Sequence, residues 1–330
     1  MKQFDVIPIV FAADNNYLPY MSVTIQSIIE NSSLTRKYCF IILYREIADE
    51  SKEIITRQID PHPQFSIEFI NVSDCMSKYN LFISRHITVE TWFRLLIPDL
   101  LQKYKKAIYL DCDVIVCADI AEFFDFDLKD NLIAAIRDID SANWFYGQKT
   151  SRKVKGYRNS FLNLKNPSEY FCAGVCLFNI QLFREVMPTE KLFELAISNK
   201  WDFHDQDVLN IAAEGKVYFL PWQWGGYITG NTEFLPENLK GEYEEAKKNP
   251  KIVHFAATKP WKSSFFLFHF DLFWKYATRT PFIDVILKRM GPPETQSLKK
   301  MVLLQFGQKR LGLRFILFCV KEWLFRKMNK

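Results

Sequence analysis

The sequence predicts an α/β fold, a sheet of buried strands wound by helices, and three observations carry the prediction. Between residues 6 and 72, apolar runs of strand length alternate with helical patterns in the order β-α-β-α-β. A later apolar run ending in Tyr109 and Leu110 closes on two carboxylates one residue apart, Asp111 and Asp113. Finally, 48% hydrophobic residues in a chain of 330 are ample for a large core.

Each element follows from its pattern. Val6 to Phe11 reads as the first strand, followed by the polar turn Ala13-Asp14-Asn15-Asn16-Tyr17 and a helix from about Pro19 to Glu30, with Ile25, Ile28 and Ile29 on one face. Cys39 to Tyr44 and Ile67 to Val72 are strands, separated by the helical stretch Asp49 to Ile59. Leu132 to Arg137 is a further buried strand, ended by Asp138. Ser141 to Tyr170 is polar, basic and aperiodic, as expected of a lid or binding loop. Phe171 to Ile180 returns to strand character around Ala173-Gly174, and Val186 to Lys200 is helical. His204-Asp205-Gln206-Asp207 then opens a short helix, Val208 to Glu214, which Asp205 is placed to cap. In parallel sheets ligands sit at the carboxyl ends of strands, where Asp14 and the Asp111/Asp113 pair fall.

Composition narrows the function. The net charge is +5, yet residues 291–330 carry nine basic side chains against two acidic ones, so the rest of the chain is slightly acidic. A nucleic-acid partner is therefore not expected. Seven cysteines without a Cys-x-x-Cys pair indicate neither a disulfide framework nor a zinc site, and fit reduced cytoplasmic thiols. Asp5 and Pro8 interrupt the short apolar start, which reads as a strand, with no targeting segment expected.

The carboxylate pair carries the chemistry. At strand spacing, positions i and i+2 point the same way, so Asp111 and Asp113 can aim at one point beyond the strand end. That suits a hard divalent cation that also holds the phosphates of a nucleotide diphosphate. An Asp-x-Asp that closes a strand can also be a turn or a helix cap.

Four motifs occur along the chain: Phe11-Ala-Ala-Asp-Asn-Asn-Tyr17, Tyr109-Leu-Asp-Cys-Asp113, His204-Asp-Gln-Asp207 and His254-Phe-Ala-Ala-Thr-Lys-Pro-Trp261. Arg94, in Thr91-Trp-Phe-Arg-Leu95, accompanies them. On these residues the chain resembles the family 8 retaining glycosyltransferases, which include bacterial lipo-oligosaccharide galactosyl- and glucosyltransferases and, more remotely, glycogenin. The resemblance spans about residues 4 to 265. It implies a GT-A fold, a Rossmann-like mixed sheet flanked by helices, with a UDP-sugar donor, Mn²⁺ (or Mg²⁺) and transfer with retention. The implied donor contacts are Ala12, Asp14, Asn16, Tyr17, Arg94, Asp111, Ala173, Gly174 and Lys259. The implied metal ligands are Asp111, Asp113 and His254, and the implied catalytic pair is Asp205 and Gln206. For Tyr17 a half-exposed core aromatic stays open, for Arg94 a brace for neighbouring carboxylates, and for His254 a structural histidine. Breaking the sugar–phosphate bond builds negative charge on UDP, which a metal ion and Lys259 would offset. Gln206 is a poor nucleophile, which favours departure and attack on the same face.

Two departures stand out. Cys172 replaces the usual asparagine before Ala173-Gly174, and the segment from His254 to Trp261 lacks the usual glycine, with Ala256-Ala257 in its place. Donor preference and the approach to the diphosphate are the properties at stake.

Residues 1–265 thus read as the catalytic domain and 266–330 as a helical extension. In its basic last part, Phe315, Ile316, Cys319, Val320, Trp323 and Leu324 share one helical face. No run reaches the roughly 18 apolar residues of a membrane span. The pattern suits either the surface of an anionic membrane or packing on the domain or a second subunit. The first option implies a peripheral location on the inner face of the cytoplasmic membrane and a lipid-linked glycan acceptor. The loop 141–170 and His86 are the expected acceptor readers. Three competing functions share parts of this pattern: a haloacid-dehalogenase-type phosphatase, a noncatalytic UDP-sugar-binding protein and a nucleotidyltransferase. The phosphatase class places its Asp-x-Asp on the first strand, unlike this chain.

Overall fold

A computed structural model describes residues 6–83, 88–147, 157, 161–227, 232–256, 258–262 and 269–290. His86, Ala257, most of 148–160 and the expected tail helix beyond Met290 lie outside the described residues.

Ten strands are described: β1 Val6–Ala12, β2 Lys37–Tyr44, β3 Phe65–Asn71, β4 Lys106–Leu110, β5 Val114–Val116, β6 Ile133–Arg137, β7 Phe171–Asn179, β8 Val217–Leu220, β9 Trp224–Tyr227 and β10 Ile252–His254. Seven of them form the main sheet in the order β3-β2-β1-β4-β7-β6-β8, and the other three a small second sheet, β5-β10-β9. In the main sheet β7 runs antiparallel to both its neighbours and the other pairings are parallel, which makes the sheet mixed. Alternate residues of the main strands serve two cores. Ile7, Ile9 and Phe11 pack with Met21 and Ile25 of helix α1 (Leu18–Asn31), while Val10, Ile41 and Leu43 share the other core with Leu192 and Phe193. Among the described residues, no helix is long and apolar enough to cross a membrane.

Helix α1 is enclosed on its far side as well. Tyr20 and Val23 pack with Phe270, Phe273, Tyr276 and Ile286, so residues 270–290 lie against the same helix. Its buried hydroxyls are matched to the small sheet: Thr24 Oγ1 donates to Val114 O at 2.8 Å, and Ser27 Oγ accepts from Val116 N at 3.0 Å. These bonds fix β5, and through it the corner that holds Asp113.

Three expectations change. The helix expected over Val186 to Lys200 runs Thr189–Ser198, and a separate, unexpected helix, Ile180–Val186, ends before Pro188, which stands extended between the two. The loop from Ser141 contains a helix, Ile139–Tyr146, whose N-cap is Asp138: its Oδ1 accepts from Ser141 N at 2.7 Å. The helix after His204 runs Asp205–Ala212, so Asp205 is its first residue and not its cap.

The main sheet has one irregularity beside the Asp111 strand. β7 pairs Cys176 with Ala135 of β6, but the next β6 residue, Ile136, pairs with Cys172. Ala173, Gly174 and Val175 are therefore surplus on that side, a bulge of three residues, and lean toward β4, where Gly174 O accepts from Asp111 N at 2.8 Å. Asn210 pins the bulge from below, accepting from Phe171 N at 2.8 Å and donating to Phe171 O at 2.9 Å and to Gln206 O at 2.8 Å. Replacing it with alanine leaves a buried N–H and two buried carbonyls without this partner. Asn210→Ala is expected to lose about 1–3 kcal/mol in urea unfolding; a smaller change would mean that the bulge is held by its ladder alone.

Candidate functional site

The chain leaves the main sheet at Leu110 and enters the small sheet at Val114, so Asp111, Cys112 and Asp113 form the corner between two sheets. Antiparallel pairing sets His254 opposite Val114, and Phe255 N donates to Asp113 O at 3.0 Å. His254 Nε2 consequently lies 3.3 Å from Asp113 Oδ1 and 3.7 Å from Asp111 Oδ2. One ligand atom from each of the three side chains falls within 4.8 Å of the others. Two carboxylates and an imidazole suit a divalent cation such as Mn²⁺ or Mg²⁺. Asp113 Oδ1 is buried and accepts no hydrogen bond from the described residues, which fits an oxygen reserved for a cation.

The electrostatics agree. Burial would raise the Asp113 carboxyl, but Lys259 and His254 outweigh it and hold it far below its ordinary range. Burial likewise opposes charge on His254, yet Cys172 and Asp113 lift its pKa to about 10. The corner favours a positive charge, whether a proton or a metal ion.

The bulge of β7 closes the other side. A Cβ built on Gly174 would stand 2.4 Å from His254 Cε1 and 2.5 Å from Asp111 Oδ2, so only glycine lets the strand pass here. Ala173 O accepts from Arg94 Nη1 at 2.6 Å. Arg94 also reaches Asp111 Oδ1 through Nη2 at 2.9 Å and Asp205 Oδ2 through Nε at 2.8 Å, with its guanidinium 4.2 Å from the centre of the Tyr109 ring. These contacts make it a brace for neighbouring carboxylates, and Asp111 and Asp205 keep it protonated despite burial. Asp205 also accepts from Thr91 Oγ1, and burial raises its carboxyl to about 6 against the pull of Arg94.

A cavity of about 190 Å³ opens between the end of β1 and this corner, walled in part by Ala12, Asp14, Tyr17, Arg94, Asp111 and Lys259. Asp14 Oδ1 accepts from Asn16 N at 2.9 Å and from Tyr17 N at 2.8 Å, which shapes the turn under the cavity. Asn16 is exposed, folds its amide onto Asp14 Oδ2 at 3.0 Å, and stands outside the cavity wall. Tyr17 is half-buried, packs edge-on against Tyr20 with ring centres 5.9 Å apart, and still lines the cavity. Lys259 Nζ pairs with Asp113 and donates to Phe255 O at 2.8 Å and Ala256 O at 3.0 Å. A larger cavity of about 230 Å³, beside β8, reaches neither Asp111 nor Asp113.

Gln206 joins the site through the bulge: its Oε1 accepts from Ala173 N at 3.0 Å. The Cys172 sulfur turns toward His254 Nδ1, 3.6 Å away. Sequence reasoning missed Thr91, Tyr109, Tyr170 and Asp207. Tyr109 was within reach, since it lies two residues before Asp111 on a strand and its hydroxyl donates to Asp111 Oδ1 at 3.0 Å. Thr91 lies one helical turn before Arg94 in the same motif; Tyr170 sits at the end of an aperiodic stretch and carries no signal of its own.

Comparison with known proteins agrees with this geometry. The family profile described as Glycosyl transferase family 8 matches residues 8–264. The chain is 29% identical over 277 residues to General stress protein A of Bacillus subtilis, covering 80% of this chain and 90% of that protein. It is 26% identical over 303 residues to lipopolysaccharide glucosyltransferase WaaO of Escherichia coli, covering 89% of this chain and 81% of WaaO. The solved bifunctional glycosyltransferase WbbM superposes with a TM-score of 0.76 at 29% identity, covering 86% of this chain and 52% of WbbM. The chain spans 61% and 34% of the length of two further curated relatives.

The contact at Gly174 is directly testable. Gly174→Ala forces His254 or Asp111 aside and is expected to weaken binding of Mn²⁺ about 10- to 100-fold by calorimetry, with the fold retained. Unchanged affinity would mean that these two side chains do not jointly hold the ion.

Proposed function

Because the chain belongs to glycosyl transferase family 8, we propose that it is a metal-dependent retaining transferase that moves glucose or galactose from a UDP-sugar to a glycan acceptor of the bacterial lipopolysaccharide type. The observation that carries this reading is the meeting of Asp111, Asp113 and His254, with both carboxylates also lining a cavity bordered by the β1 turn. The glycan class is supported by the similarity to a lipopolysaccharide glucosyltransferase.

Within this reading Asp111, Asp113 and His254 hold the cation, Mn²⁺ by preference because of the imidazole nitrogen. The bound ion would supply Lewis-acid stabilisation of the departing diphosphate. Ala12, Asp14 and Tyr17 shape the nucleoside end, with the Tyr17 ring offered to the base, and Asn16 reaches the ribose from the rim. Lys259 places a second positive charge beside the phosphates and steadies Asp113. Ala173 and Gly174 bring backbone close to the sugar. Asp205, fixed by Arg94 and Thr91, faces the sugar hydroxyls, and Gln206 stands by the anomeric carbon. Since the amide of Gln206 is a poor nucleophile, the acceptor hydroxyl attacks on the face from which UDP leaves and gives its proton to the leaving phosphate. No separate protein base is required.

Residues 266–330 are read as an extension whose basic end, 298–330, meets an anionic membrane surface and keeps the enzyme near a lipid-linked acceptor. Deleting 298–330 is expected to reduce binding to phosphatidylglycerol liposomes while leaving donor hydrolysis within about twofold. Equal liposome binding by the shortened protein would remove the membrane role.

The direct test is UDP release from UDP-glucose and UDP-galactose, with Mn²⁺ and then with excess chelator. Release from one donor, lost on chelation, is expected. Asp111→Asn and Asp113→Asn should each lower it about 100-fold or more with little change in thermal unfolding. Near-normal release in either variant would sink the metal assignment.

A further inference from the structure

The helix that carries Gln206 also carries Asp207, which is fully buried and takes no part in the metal corner. Three donors converge on its carboxylate. Tyr170 OH donates to Oδ1 at 2.6 Å, and Tyr157 OH and Phe203 N donate to Oδ2 at 2.7 and 2.8 Å. An ionised carboxylate only accepts, so the single hydroxyl proton of Tyr170 is committed to Asp207. The Tyr170 oxygen then faces Gln206 as an acceptor, and Gln206 Nε2 donates to it at 3.2 Å. At the other end of the amide, Ala173 N donates to Gln206 Oε1 at 3.0 Å, and a backbone N–H can do nothing else. A flipped amide would set two donors against each other at Ala173 and two acceptors against each other at Tyr170.

We propose that Asp207 and Tyr170 are positioning residues: with the Ala173 N–H they form a relay of hydrogen-bond polarity that locks the Gln206 side chain in one of its two flips. The inference rests on the reading of Gln206 as the residue beside the anomeric carbon. As the sugar–phosphate bond breaks, positive charge develops on that carbon. The lock keeps the carbonyl oxygen at the β7 bulge, beside Gly174 and the metal corner, with one lone pair still to offer. The opposite flip would present an N–H to the same charge. Asp207 acts through Tyr170 and need not touch the substrate.

The first experiment needs no donor. In the full chain labelled with ¹⁵N, the Gln206 side-chain amide signal is identified by its absence in Gln206→Ala. Tyr170→Phe removes the hydroxyl and keeps the ring. It is expected to shift that signal and to speed its hydrogen exchange at least about tenfold. Asp207→Asn, which frees the Tyr170 proton, serves as the second variant and should do the same. An unchanged amide signal in a folded variant overturns the relay.

The second experiment reads UDP release from the preferred donor with Mn²⁺. Tyr170→Phe is expected to lower kcat about 10- to 100-fold, while KM and the calorimetric affinity for UDP stay within about twofold. In the Gln206→Ala background the same substitution should change nothing further, because the group it positions is gone. Equal losses in both backgrounds would mean that Tyr170 serves only the fold, and would overturn the proposal. Full turnover in Gln206→Ala would instead remove the reading of Gln206, a result distinct from failure of the relay.

Discussion

Three carboxylates meet in one corner of this fold, two of them almost fully buried, and the surroundings answer the cost of keeping them charged. An isolated buried carboxylate costs several kcal/mol, and removing one partner of a buried pair typically costs about 3–5 kcal/mol. Arg94 lies between Asp111 and Asp205, and Lys259 lies against Asp113. Two fixed cations thus face three anions, and the remaining negative charge falls where His254 and a divalent ion can balance it. The arginine thus helps to hold the site together.

The convergence of those side chains is a property of the backbone. Asp111 and Asp113 do not lie on one continuous strand; they flank the corner at which the chain crosses from the main sheet to the small one. What makes them face a common point is the register of β10 on β5, together with the hydroxyls of Thr24 and Ser27 that fix β5 against α1. The bulge of β7 then brings Gly174, which has no side chain, into contact with both His254 and Asp111. Each device is local and inexpensive, and losing any one would shift an oxygen or a nitrogen by more than a metal site tolerates.

Much of this was legible in the sequence. The strands β1 and β2 were readable because their apolar runs are buried on both faces, β3 because its run is rich in apolar residues although it lies at the sheet edge, and the helix Asp49–Ile59 because Ile55 and Ile59 stand one turn apart on a single buried face. The Asp111/Asp113 pair was readable as a candidate cation site, although for a reason that differs from the observed geometry: strand alternation suggested the convergence, and a corner between sheets produces it. Asp138 was placed correctly at a strand end but serves as a cap, since a capping aspartate and a strand-closing aspartate look alike without the following helix in view. Arg94 admitted two readings because bracing and ligand binding use the same guanidinium; only its partners decide. Tyr170, Asp207 and Asn210 carry no local pattern, because their partners are distant in sequence and are set by the packing of one helix against a bulged strand.

The site divides by the kind of force that orders it. Around Asp111 and Asp113 the ordering is by charge: ion pairs are strong at close range and tolerate small changes of angle. Around Gln206 it is by hydrogen-bond direction, through groups that bear no net charge except Asp207, which acts through Tyr170. Under the proposed function, this division matches the demands of breaking a sugar–phosphate bond. At the phosphate, full negative charge accumulates and calls for full positive charge. At the anomeric carbon, positive charge is partial and transient, and a fixed carboxylate there would bind the ground state or capture the sugar. A neutral amide of fixed orientation offers a partial negative charge without doing either. A buried aspartate one residue beyond it, shielded by Tyr170, Tyr157 and Phe203 N, contributes direction while its own charge stays spent on the protein.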